Sequence, residues 1–171
     1  MTAQHEEGHL HSDESTTMHW SDDMLIGHGS MDEMHHEFVA LVNDLQRCTL
    51  ETVEQCLTRL SAHLAEHFSS EEELMVRIGY PEMACHAEEH SAVVESVNGS
   101  VLAYRGGMFG LYEVRQLAQA LMRWLPGHIA YMDSALSTWF SKKTYGGVPV
   151  VIKRSNRLPE TANCDAKPAR F

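Results

Sequence analysis

Seven residues of this chain could act together on a metal ion. His67 and Glu71 stand four apart, His86 and His90 stand four apart, His128 and Asp133 stand five apart, and His35 stands alone upstream. A four-residue step stacks two side chains on one face of a helix. The apolar neighbours mark those faces as inward: Leu60, Leu64 and Leu74 around His67, Met31 and Phe38 around His35, Leu125, Ile129 and Met132 around His128. A buried histidine or carboxylate costs several kcal/mol unless it is hydrogen-bonded, paired or bound to a metal. No basic residue falls on these faces to neutralise Glu71 and Asp133. Metal is the simplest solution. Seven ligands exceed the four of an ordinary zinc site, and carboxylates bridge, so the expected number of ions is two. Imidazole with carboxylate and no thiolate suits iron, manganese, cobalt or zinc.

Residues from four helices must converge to build such a centre. Ser30 followed by Glu33 has the form of a capping box, and Met31, Met34, His35, Phe38, Leu41, Val42 and Leu45 then recur at three- and four-residue steps to about Cys48. Thr52 and Gln55 form a second possible box, opening a helix whose broad apolar face runs from Val53 to Ile78. Gly79 and Pro81 separate it from a third helix over about 82–104, with Met83, His86, Ala87, His90, Val94, Val97 and Val101 inward. The Arg105-Gly106-Gly107 turn leads to a fourth over about 111–140. Long helices with short links predict an all-α, up-down-up-down four-helix bundle over 20–140. Pro126 falls inside the fourth helix, where it either kinks the helix harmlessly or displaces His128.

A chain of 171 residues has room for one core. Its 13 Lys and Arg against 24 Asp and Glu argue against nucleic acid or an anionic membrane surface as partner. No apolar run is long enough to span a bilayer, and residues 1–19 hold no Lys or Arg to open a secretory signal, so a cytoplasmic location is expected. The four cysteines, at 48, 56, 85 and 164, show no paired spacing. Residues 1–19 are polar and include His5, His9, His11 and His19; they read as a flexible, solvated arm rather than as ligands. Residues 141–171 carry seven basic and two acidic residues, +5 against −16 for the rest. This basic tail could pack as a short extended segment or dock a protein partner or a second copy.

The segments WSDDMLIGHGSMDEMHHEF, HLAEHFSSEEELM, GYPEMACHAEEH and WLPGHIAYMD, in this order, resemble the hemerythrins, non-haem di-iron bundles that bind oxygen, and most closely their bacterial branch. The resemblance spans about 20–140. It implies that His86, His90 and His128 hold one iron and His35 and His67 the other, with Glu71 and Asp133 bridging and an oxo or hydroxo group as a further bridge. The ion with two histidines keeps an open position for dioxygen. By helix phase its surroundings are Phe38, Phe68, Trp124, Leu125 and Ile129, an apolar pocket with no acid placed to protonate bound oxygen.

Reversible dioxygen binding, for delivery, storage or sensing, is the expected function. The alternatives are a di-iron redox enzyme acting on peroxide or nitric oxide or repairing iron centres, and a metal-handling or partner-binding module. An oxygenase of the ferritin-like type would usually carry two Glu-x-x-His pairs as ligands, whereas the inward pairs here are His67-x-x-x-Glu71 and His86-x-x-x-His90. His36 competes with the adjacent His35; the family pattern of Asp32 followed three residues later by the ligand selects His35, and helix phase agrees, since Val42 lies seven residues beyond His35 and polar Asn43 seven beyond His36. His28 reads as a loop residue. His63, one turn before His67, reads as a hydrogen-bonded or half-exposed residue with a supporting role as the alternative.

Overall fold

The computed structural model describes residues 17–146. A short 3-10 turn, Asp22–Met24, precedes α1 (Gly29–Gln46), α2 (Val53–Ile78), α3 (Met83–Arg105), α4 (Leu111–His128), a π-helical turn Ile129–Asp133 and α5 (Ser134–Tyr145). α4, the π turn and α5 form one continuous rod. Together with α1, α2 and α3 it makes an all-α four-helix bundle, in which α1 packs on α2 and α4, α2 on α3, and α3 on α4. The expected tail at 141–171 begins inside this rod, which runs on to Tyr145. Residues 147–171 and 1–16, on which most of the basic-tail and histidine-arm expectations fall, lie outside the described residues. Among the described residues no helix is long and apolar enough to cross a membrane.

The apolar periodicity works as expected. Phe38, Val42, Leu45, Leu57, Leu60, Leu64, Met75, Val97, Val114, Leu121, Leu125 and Leu136 are buried at 1% exposure or less. Burial of one such side chain is worth ~1.5–3 kcal/mol. In α3 the inward position is Val93, while Val94 is half-buried, one residue from the expected phase.

The helix ends differ from the expected caps. Helix α1 starts at Gly29 with His28 in the capping position, and neither Ser30 nor Glu33 forms a box. Asp32 instead turns its carboxylate back to accept the N–H groups of Ile26 (2.9 Å) and Gly27 (3.1 Å), tying down the entering chain. Thr52 precedes α2, but its hydroxyl accepts the N–H of Thr49 at 2.9 Å rather than capping the helix. The stop at Gly79 is as expected. Its left-handed backbone (φ 60°) lets Tyr80 N–H reach Met75 O at 2.9 Å, which glycine does without a Cβ penalty.

The chain is held to the bundle from Met18 onward. Met18 is buried, and the Asn43 side chain pairs with its N–H (2.9 Å) and its carbonyl (2.8 Å). Trp20 stacks on His36 at 3.8 Å, and Trp139 donates to Ile78 O at 3.3 Å, so both tryptophans close ends of the core.

Candidate metal centre

The bundle brings all seven expected residues to one place. His35 comes from α1, His67 and Glu71 from α2, His86 and His90 from α3, His128 from the end of α4 and Asp133 from the end of the π turn. None is more than 5% exposed. His36, by contrast, is exposed, and His28 lies edge-on to Phe140 with Ser30 Oγ 3.3 Å from its Nδ1. Cys48, Cys56 and Cys85 form no disulfide among the described residues and lie outside the cluster.

The π turn explains the five-residue spacing of His128 and Asp133. Five α-helical steps would leave two side chains about 140° apart around the axis. A π turn closes i→i+5 instead and carries the later residue back over the earlier one. Here Ser134 N–H bonds Ile129 O, and Asp133 Oδ1 comes to 3.3 Å from His128 Nε2. Pro126 sits three residues upstream, exposed inside α4, and His128 keeps its place in the cluster. The proline is thus absorbed without displacing the histidine.

Each carboxylate divides its two oxygens between two sets of histidines. Glu71 Oε1 faces His67 Nε2 (2.8 Å) and His35 Nε2 (4.0 Å), while Oε2 faces His90 Nε2 (3.4 Å) and His86 Nε2 (3.5 Å). Asp133 Oδ2 faces His35 Nε2 (3.1 Å), while Oδ1 faces His86 Nε2 (3.2 Å) and His128 Nε2 (3.3 Å). This is the arrangement of two bridging carboxylates between a three-histidine and a two-histidine position. Donor atoms ~2.1 Å from one ion and at right angles around it stand about 3.0 Å apart, close to most of these gaps.

The polar atoms fit cations better than they fit each other. Nε2 of His128 lies 3.3 Å from Nε2 of His86 and 3.2 Å from Nε2 of His90, three ring nitrogens converging on one point. Glu71 Oε2, both Asp133 oxygens and His35 Nε2 are buried without a hydrogen-bond partner of good geometry. Orphaned buried polar atoms of this kind are rare in folded proteins and call for an ion or other partner. Among the described residues the ion-pair partners of Glu71 and Asp133 are all histidines.

In the metal-free protein the carboxylates are balanced by protons. Burial pushes Glu71 up, as does Asp133 beside it, yet the facing imidazoles of His67 and His90 hold it down to about 2. Burial likewise opposes ionisation of Asp133, but His128, His35 and His86 hold it well below the usual carboxylate range. Burial disfavours the charged forms of His35 and His86, and the adjacent Asp133 carboxylate wins, raising both. His90 goes the other way, lowered to about 4 by burial together with its neighbours His128 and His86. Two divalent ions would replace the protons on His35 and His86 and neutralise both carboxylates.

Aromatic rings pack around this cluster. Phe68 stacks flat on His90 (3.9 Å, 6°) and Trp124 on His128 (4.4 Å, 28°), so both contact the three-histidine set, with Phe68 also 5.4 Å from His67. Phe38 lies 6.1 Å from Trp124, and Leu125 and Ile129 are buried at 0% and 1%. All five expected pocket residues are therefore in the core, with Phe68 and Trp124 stacked on the three-histidine set rather than confined to the two-histidine side.

Two supporting contacts have no trace in the sequence pattern. Trp124 Nε1 donates to Glu89 at 2.9 Å, and Glu72 Oε1 lies 3.7 Å from His90 Nδ1. The second contact brings a carboxylate near the outer nitrogen of a ligand histidine, beyond hydrogen-bond distance. Glu72 is half-buried.

Comparison with known proteins agrees with this geometry. The family model for the hemerythrin HHE cation-binding domain matches residues 27–140. A bacteriohemerythrin of Stenotrophomonas maltophilia is 30% identical over 120 residues, 68% of this chain and 76% of that protein. Bacteriohemerythrins of Ralstonia nicotianae (26% over 124 residues, 72% and 89%) and Aquifex aeolicus (27% over 113 residues, 64% and 86%) are also similar. With a buried Glu/His/Asp cluster that matches a di-iron, oxygen-binding site and a family match over most of its length, this chain belongs to the hemerythrin family.

Proposed function

We propose that this protein binds dioxygen reversibly at a di-iron centre, and that residues 20–140 are the unit that does so. The observation that carries the reading is the division of the Glu71 and Asp133 oxygens between a three-histidine and a two-histidine set. His86, His90 and His128 are assigned to one iron and His35 and His67 to the other. The second has fewer protein donors and so holds the open position. Iron held by these residues would supply the reversible redox chemistry that dioxygen binding needs.

The chain's own residues set the conditions for reversibility. Glu71 and Asp133 fix the spacing of the two positions and would offset half the charge of two divalent ions. Phe38, Phe68, Trp124, Leu125 and Ile129, all buried, exclude bulk water from the centre. Both buried carboxylates are ionised and engaged by histidines, so neither offers a proton that would push bound oxygen toward O–O cleavage.

The deciding experiment measures iron per chain on anaerobically reduced protein, then the visible spectrum on adding air and on removing it. Two irons and a charge-transfer band that appears and disappears support the reading. Irreversible bleaching, or repeated turnover of peroxide or nitric oxide without an oxygenated form, would replace it with a redox enzyme. Delivery, storage and sensing are then separated by the oxygen affinity and by whether the tail beyond residue 146 captures a partner.

A further inference from the structure

His63 is a second kind of histidine beside the centre. It lies on α2 one turn before His67, and its side chain is only 9% exposed. Its ring meets the His67 ring edge-on at 5.4 Å and lies 6.2 Å from Phe38, which places it on the two-histidine side against the pocket wall. It does not join either group of converging donor atoms. Its Nδ1 is 3.5 Å from Glu37 Oε2, a carboxylate on α1 that is 71% exposed. Its Nε2, at the opposite corner of the ring, is buried and has no hydrogen-bond partner.

Both groups facing the ring from α1, the Glu37 carboxylate and the Met34 backbone carbonyl, only accept. With the proton on Nδ1, toward Glu37, the buried Nε2 is left with a lone pair. An acceptor left bare in an apolar setting is costly, and a hydrogen-bearing group arriving beside it removes that cost.

We infer that His63 Nε2 accepts a hydrogen bond from a proton-bearing ligand held at the open position of the two-histidine ion, so that the pocket favours ligands carrying hydrogen over isosteres that lack it. The inference rests on the ligand assignment proposed above. It makes His63 a specificity-determining residue that touches the exogenous ligand rather than the metal, and it leaves Glu37 as the group that orients the ring.

The test uses the full chain with its irons oxidised and two anions of equal charge and similar length, hydrogen cyanamide anion and cyanate, which differ by an N–H. Wild type should prefer the cyanamide anion. In His63→Phe that preference should fall by about tenfold, one hydrogen bond's worth, with two irons retained and cyanate affinity little changed. His63→Gln, whose amide oxygen also accepts, should recover part of the preference and guards against a folding defect in the first variant. A second readout needs no metal: 15N NMR of histidine-labelled metal-free protein should show His63 protonated at Nδ1. An unchanged preference in His63→Phe, an Nε2-protonated ring, or loss of an iron from both variants would each overturn the inference. Reversible oxygenation of the wild type, recorded on the same preparation, is a separate outcome: its failure would reject the proposed function, whereas its success with unchanged ligand preference would reject only the role of His63.

Discussion

Asp133 Oδ1 stands 3.3 Å from His128 Nε2 although the two residues are five apart, because a π turn joins them. A π turn is geometrically an α-helix carrying one extra residue. Deleting Ala130 should therefore restore a regular helix with the two ligands four apart and still on one face. Adding a second alanine after Ala130 should rotate Asp133 off the face by about 100°. The expected result is two irons per chain for the deletion and a loss of metal for the insertion, read by iron analysis with circular dichroism as the folding control. Equal iron in both would show that Asp133 is not placed by the turn.

Glu71 serves both metal positions through different oxygens, so its removal should damage both at once. Glu71→Ala should lower iron affinity by more than ~100-fold, beyond the range typical of supporting residues around a ligand. Since bound metal stabilises the fold by mass action, the melting temperature of the variant incubated with iron should drop to that of its metal-free form. Two irons with an unchanged spectrum would reject the bridging role.

The parts of the centre differed in how legible they were. Each helical ligand sat in a run of leucines, valines or phenylalanines at helical steps, so its inward direction followed from the phase, as the burial of His35, His67, His86 and His90 bears out. The π turn was not legible, because a five-residue spacing on a regular helix points away from the face and nothing in IAYMD announces the extra residue. The start of α1 was misread for a different reason. Ser30 and Asp32 are both competent capping residues, and which of them turns back depends on where Ile26 and Gly27 arrive, a tertiary fact. Glu72 and Glu89 escaped notice because half-buried positions carry no periodic signature and their partners, His90 and Trp124, belong to other helices.

His35 and His36 give a sharp control on the helix phase. His35 is fully buried against Asp133, whereas His36 is exposed and stacks on Trp20. His36→Ala should keep two irons and lose ~0.5–1.5 kcal/mol of stability with its aromatic contact. His35→Ala should lose the iron of the two-histidine position. Iron counting on the two variants checks both statements, and iron loss from His36→Ala would mean that the phase is wrong by one residue.

The metal-free and metal-loaded proteins should respond to pH in opposite ways. In the metal-free fold His35 and His86 are raised, so their stabilising contribution is fully present below the unfolded value of about 6.5 and is lost as pH rises through their folded values. His90, held at about 4, works against them, since protonating it between about 6.5 and 4 favours unfolding. Glu71 and Asp133, both depressed, stabilise above the ordinary carboxylate range and lose that contribution as pH falls toward their folded values. Above about 6.5 the lowered histidines, His28, His63 and His90, are neutral in both states, so the raised His35 and His86 leave the metal-free protein losing stability as pH climbs past that value. Metal loading needs the same histidines deprotonated, so it releases protons and strengthens over that interval. The gap in melting temperature between loaded and metal-free protein should therefore widen from pH 6 toward 8. Melts at matched ionic strength, with calorimetry in two buffers of different ionisation enthalpy to count released protons, check this. A constant gap with no proton release would mean that His35 and His86 do not carry the compensating protons.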